Sequence, residues 1–181
     1  MNVIRRTKSS FVCLVVLLGL AIAGCGYTTR SLLPPEYQTL YIVPFKNKID
    51  YTSESTRNIY LPLLEVKVQK AISSRFQFDG NLRLAKEEEA DLKLTGELVR
   101  YDREVLRYTD NDDVQEYRVR ITVNLVLTDT TTGEMVWAEN GFSGEATYFV
   151  TGPSASSESS AVSAAQVDLA RRVVERTIEN W

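Results

Sequence analysis

In YRVRITVNLVLT, residues 117–128, the side chains alternate with a period of two. Tyr117, Val119, Ile121, Val123, Leu125 and Leu127 fall on one side, and Arg118, Arg120, Thr122, Asn124 and Thr128 on the other. That is the pattern of a strand in a sheet with one buried and one open face. Upstream, Leu92, Leu94 and Leu98 alternate with Lys93, Thr95 and Glu97 before the pattern shifts parity to Val99, Tyr101 and Val105. A shift of parity inside one run predicts a β-bulge, with Gly96 nearby easing the bend. Downstream, Thr131-Thr132-Gly133 predicts a tight hairpin connection into a last strand from Glu134 to about Phe149.

The flanks supply the rest of the fold. Residues 39–45, TLYIVPF, read as a mostly buried strand that ends at Pro44 or lies at an edge, because proline cannot donate to a ladder. Residues 46–58 read as a polar loop. Pro62 opens a helix whose apolar face is Leu64, Val68, Ala71, Ile72 and Phe76, at spacings of three and four. Asp79-Gly80-Asn81 is a turn, and Leu82 to Ala85 a short strand. The serine-rich residues 151–163 read as a loop. The second helix follows it, with Val167, Ala170, Val173 or Val174, and Ile178 as its stripe and Arg171, Arg172, Glu175, Arg176 and Glu179 opposite. The expected order is β-α-β-β-β-β-α. It makes an α+β two-layer sandwich, with two helices on one face of a mixed, mainly antiparallel sheet of four to five strands.

Composition narrows the chemistry. The chain of 181 residues has no histidine, which removes histidine acid–base catalysis, serine–histidine triads and most zinc sites. Two cysteines, Cys13 and Cys25, are too few for structural zinc. The net charge of −3 argues against a general nucleic-acid binder. Glu87-Glu88-Glu89 reads as a solvated turn. Asp110-Asn111-Asp112-Asp113 fails as an EF-hand, since Gln115 stands where glycine is required and Ile121 where the last glutamate belongs, so it reads as a polar hairpin tip. No metal, no cofactor and no enzymatic activity are expected.

The N-terminus points to a compartment. Arg5, Arg6 and Lys8 precede the unbroken apolar run 11–23, FVCLVVLLGLAIA. This is a secretory signal, too short to span a membrane as a helix. It ends in Ile22-Ala23-Gly24-Cys25, which resembles the bacterial lipobox. Small residues at 23 and 24 let a peptidase reach the backbone, and the Cys25 thiol is the group that accepts the lipid. Residues 1–24 are thus expected to be a lipoprotein signal peptide, 25–38 a lipidated tether stiffened by Pro34-Pro35, and 39–181 the folded domain. Two or three acyl chains anchor firmly, since each buried CH₂ contributes about 0.8 kcal/mol. Gly26 stands where aspartate would retain a lipoprotein in the inner membrane, so the expected location is the periplasmic face of the outer membrane.

The succession Cys25-Gly26-Tyr27, Leu33-Pro34, residues 39–47 (TLYIVPFKN), 89–97 (EADLKLTGE), 117–123 (YRVRITV), 128–137 (TDTTTGEMVW) and the C-terminal helix resembles the LptE family of lipopolysaccharide-assembly lipoproteins. Specificity lies in the order of these strings, none of which is a catalytic signature. The chain departs from the family in the start of its first helix and in its serine-rich 151–163 segment. The resemblance implies two helices on a four-stranded sheet. It also implies a non-catalytic plug that helps assemble the LptD β-barrel of the outer membrane and binds lipopolysaccharide on its way to the outer leaflet.

An anionic lipid calls for cations. Arg103, Arg107, Arg118 and Arg120, on two strands expected to form a hairpin, are the candidate lipopolysaccharide-binding residues, since guanidinium forks hold phosphate oxygens well. Their other reading is a solvated sheet face paired with Asp102, Glu104 and Glu116. The rival functional reading is a periplasmic scaffold or activator lipoprotein, similar to the TolB N-terminal domain, that serves a peptidoglycan synthase complex. Such a protein would share the anchor and the α+β order.

Overall fold

The computed structural model describes residues 33–51 and 61–179. The signal sequence, Cys25 and most of the expected tether lie outside the described residues. The elements are β1 (Thr39–Ile42), β2 (Lys46–Asn47), α1 (Leu64–Asp79), β3 (Arg83–Leu84), a 3₁₀ turn (Glu87–Glu89), β4 (Leu92–Tyr108), β5 (Val114–Asp129), β6 (Met135–Phe149) and α2 (Glu158–Glu179). They build one mixed sheet in the order β3-β1-β4-β5-β6, with β2 also on β4. β1 lies parallel to β3 and β4, and β4, β5 and β6 are antiparallel. The α+β class holds. The sheet has six strands because Pro44 splits the first run in two: pairing to β4 lapses after Val43 and resumes at Lys46.

The register of β5 follows the alternation. Val119, Ile121, Val123, Leu125 and Leu127 are buried, whereas Arg118, Arg120, Thr122 and Asn124 are half-buried on the opposite side. The bulge in β4 falls at Val99, between Leu98 opposite Val123 and Arg100 opposite Thr122. Gly96 has another role than the expected one. A β-carbon there would come within 2.2 Å of Phe45 Cζ, so the glycine is a seat for that ring.

Both helices cover the face that carries Val119 to Leu127. α1 buries Leu64, Val68, Ile72 and Phe76, a row at i+4 spacing. It starts two residues after Pro62, because Leu63 takes a left-handed conformation, φ 57°. It ends at Gly80, φ 79°, whose N–H donates to Phe76 O at 3.0 Å, a glycine C-cap.

α2 begins earlier than expected, inside the serine run. Ser157 Oγ caps it by accepting from Ser160 N–H at 3.1 Å. Serine is a fair helix former once the first turn is capped, so composition alone misplaced the boundary. Its stripe is Ala161, Ala165, Leu169, Ala170, Val173, Val174, Thr177 and Ile178. Val167, expected inside, is 64% exposed. The alanines matter because α2 rides close to β6: a β-carbon on Gly144 would lie 2.4 Å from Leu169 N and 2.6 Å from Ala165 O.

α2 also shields the edge of β6. Arg172 donates to the Ser143 carbonyl, and Glu145 N–H donates to Asp168 Oδ2 at 3.2 Å. Covering an edge this way blocks pairing with another chain.

Candidate functional site

The site follows from the faces that register assigns. Cross-strand partners share a face, so Arg118 (opposite Glu104 and Thr147) and Arg120 (opposite Asp102 and Glu145) lie on the sheet face away from the helices. A second irregularity in β4, between Val105 and Arg107, brings Arg107 opposite Glu116 on that same open face. Arg103 is different. The bulge at Val99 places Tyr101, Arg103 and Val105 opposite Ile121, Val119 and Tyr117, on the helix side. The sheet thus brings together three of the four candidate arginines and turns Arg103 away.

On the open face every one of the three meets a carboxylate. Arg120 donates Nε and Nη2 to the same oxygen, Glu145 Oε2, at 3.2 and 3.1 Å. Arg118 Nε stands 3.7 Å from that oxygen, and its Nη1 is 4.0 Å from Glu104 Oε2. Arg107 Nη2 is 3.6 Å from Glu116 Oε2, and Arg107 also lies over the Phe149 ring, 5.9 Å from its centroid. Arg100, beside them, pairs with Asp102 at 3.3 Å. Such half-exposed pairs contribute little to stability, with a median of about 0–1 kcal/mol, so they are readily exchanged for another partner. Reading along the chain found Asp102, Glu104 and Glu116. It missed Glu145, the carboxylate that touches two arginines, whose only sequence signal is its place two residues before Thr147 on the facing strand.

Arg103 belongs to a cluster at the start of α2. It bonds Glu158 and lies over the Tyr117 ring, 4.8 Å from its centroid. Tyr117 stacks on Tyr148 at 5.5 Å. Tyr101, fully buried, donates its hydroxyl to Glu158 Oε1 at 2.9 Å. Burial, then this bond, push the Tyr101 phenol well above its ordinary value. The cluster fastens the first turn of α2 to the sheet, a structural task.

The remaining sequence candidates are structural as well. Glu87–Glu89 form the exposed 3₁₀ turn, with Glu87 paired to Lys93. Residues 110–113 are the β4–β5 hairpin tip, closed by Thr109 N–H to Asp113 O at 2.7 Å with Asp112 at φ 64°. Among the described residues no group of three or more His, Cys, Asp or Glu is placed to hold a metal ion.

Comparison with known proteins bears on the family and the fold. The model of the LptE family, described as lipopolysaccharide-assembly, matches residues 37–177. A hypothetical protein from Chlamydia trachomatis has a similar structure, with TM-score 0.53 and 13% identity over 77% of this chain and 95% of that one. A protein from Xanthomonas campestris assigned to the DUF330 family gives TM-score 0.51 and 15% identity over 83% and 92%. At such identities these likenesses speak for the fold. No curated protein matches the sequence.

Proposed function

The chain belongs to the LptE family of lipopolysaccharide assembly, and from that membership we propose that it is a non-catalytic lipoprotein, anchored through Cys25 to the periplasmic face of the outer membrane. There it sits within an LptD-like β-barrel, helps that barrel assemble, and binds lipopolysaccharide during delivery to the outer leaflet. The observation that carries the reading is the family match, which spans every strand, the first helix and all but the last two residues of α2.

The chemistry of the open face is compatible with it. Phosphate-bearing lipid would meet Arg107, Arg118 and Arg120 from one side, by the forked hydrogen bonds guanidinium offers. Arg103, on the helix side, would serve the fold instead. The test is lipopolysaccharide binding by the full chain and two variants. Arg118→Glu with Arg120→Glu should weaken binding far more than Arg171→Glu on α2, and added salt should weaken it further, since exposed charges are screened within about 8–10 Å. Loss of binding through Arg171→Glu with none through the double variant would move the site to the helices.

A further inference from the structure

The open-face arginines are not equivalent. Arg107 and Arg100 each stand against one carboxylate, whereas Arg118 and Arg120, two residues apart on β5, converge on a single oxygen of Glu145. Glu145 Oε2 receives two bonds from Arg120 and lies just beyond bonding distance of Arg118 Nε. That nitrogen is shielded from solvent, yet it has no hydrogen-bond partner among the described residues. A buried guanidinium donor left unsatisfied is costly, and an acceptor slightly closer to Arg118 than Glu145 reaches would remove the cost. Register also sets Thr122, Ser143 and Thr147 on the same face around the pair. The result is a fork of two cations rimmed by hydroxyls, with a carboxylate of the chain itself in the place of an anion.

We propose that Arg118 and Arg120 form an anion site whose resident occupant is Glu145, and that a phosphate group binds by displacing that carboxylate. The phosphate is that of the lipid headgroup, in which respect the proposal rests on the lipopolysaccharide reading above. Tetrahedral phosphate offers separate oxygens to the two forks, whereas Glu145 presents the same oxygen, Oε2, to both. Glu145 is well placed to swing out: its side chain is 42% exposed and its backbone is held independently by Asp168. Binding is therefore coupled to a local exchange of ion pairs, and Glu145 sets how tightly the site holds and how easily it releases.

The sign of the effect is distinctive, because neutralising a side chain of the site tightens it. Binding is measured on the full chain in detergent, with lipopolysaccharide and free inorganic pyrophosphate as separate probes. Glu145→Gln should bind lipopolysaccharide roughly fivefold tighter than wild type, the gain that follows if the fork is open about one-fifth of the time. Glu97→Gln, the same charge change elsewhere on this face, should gain much less. Adding Arg118→Gln and Arg120→Gln to Glu145→Gln should abolish the gain. Glu145→Asp, with a shorter reach, should fall in between, and it serves if Glu145→Gln alters the thermal melt. Unchanged or weaker binding in Glu145→Gln overturns the proposal, as does an equal gain in Glu97→Gln. If Glu145→Gln gains for pyrophosphate while no form binds lipopolysaccharide, the anion site stands and the lipid reading fails. If lipopolysaccharide alone shows the gain, the headgroup as a whole is the ligand and the proposal holds. If no form binds either probe, the anion site itself is refuted.

Discussion

Phe45 and Gly96 are locked together: the ring fills the space where any β-carbon on residue 96 would stand, 2.2 Å from Cζ and 2.4 Å from Cε1. The pair joins the segment after β1 to the middle of β4 just where the parallel pairing is interrupted by Pro44. Gly96→Ala should therefore destabilise the domain by about 1–3 kcal/mol, the usual range for overpacking. Shrinking the ring should relieve it, so Gly96→Ala combined with Phe45→Leu should cost less than the sum of the two. Denaturant melts of the four-member cycle measure this coupling.

A second prediction concerns register. Val123 is fully buried, while Thr122 lies on the open face opposite Ser143. Val123→Asp would bury an unpaired carboxylate and should cost several kcal/mol, enough to threaten folding. Thr122→Asp, one residue away, should cost less than about 0.5 kcal/mol. Thermal melts in the reverse order would mean that β5 is shifted by one residue.

A third concerns acid. Asp91 Oδ2 accepts from Gln38 N–H and Thr39 N–H, each at 2.9 Å, and from Thr39 Oγ1 at 2.7 Å. The Gln38 amide has the largest effect on the Asp91 carboxyl and, together with the Thr39 hydroxyl and amide, outweighs burial to hold it below its ordinary 3.8. Because the folded value is the lower one, the unfolded chain binds more protons in acid. The stabilisation is present above about pH 4 and is lost as pH falls through the folded value. Asp91→Asn should cost about 1–2 kcal/mol at neutral pH. Its deficit should shrink as pH drops below about 4, read from urea midpoints across pH. A deficit that stays constant would mean that the charge of Asp91 is not what ties β1 to β4.

These residues also show what a sequence can and cannot disclose. The burial of Val119 through Leu127 was legible because a half-buried strand writes its two faces into a period of two. The bulge at Val99 was legible for the same reason, as a break in that period. Followed through, the same break puts Arg103 with Tyr101 and Val105 on the helix side; a second irregularity at Leu106 then returns Arg107 to the open face. Proximity along the strand hid both reversals. Gly96 as a seat for Phe45, and Gly144 as the seat of α2, depend on contacts between distant segments that no local pattern encodes. Glu145 was hidden for a related reason. It sits 25 residues from Arg120 on β6, a strand whose alternation is broken between Glu139 and Phe142, where two residues, one of them Gly141 at φ 72°, face Asn124 alone.

A fourth prediction concerns the anchor. Cys25→Ser should remove acylation and leave the signal uncleaved by the lipoprotein peptidase. A fatty-acid probe fed to growing cells should label the wild-type chain and not the variant. Equal labelling of both would place any lipid elsewhere.

The most direct test of the central claim is affinity purification of the full chain from detergent-solubilised membranes of its own host, with partners identified by mass. The proposed role, an outer-membrane lipoprotein seated in an LptD-like barrel, predicts recovery of one large outer-membrane β-barrel at close to equal amounts, with lipopolysaccharide bound. Arg118→Glu with Arg120→Glu should lose the lipid and keep the barrel, since a domain seated in a lumen spreads its contacts over much of its surface. Recovery of an inner-membrane peptidoglycan synthase in place of a barrel, with no lipopolysaccharide, would contradict the account.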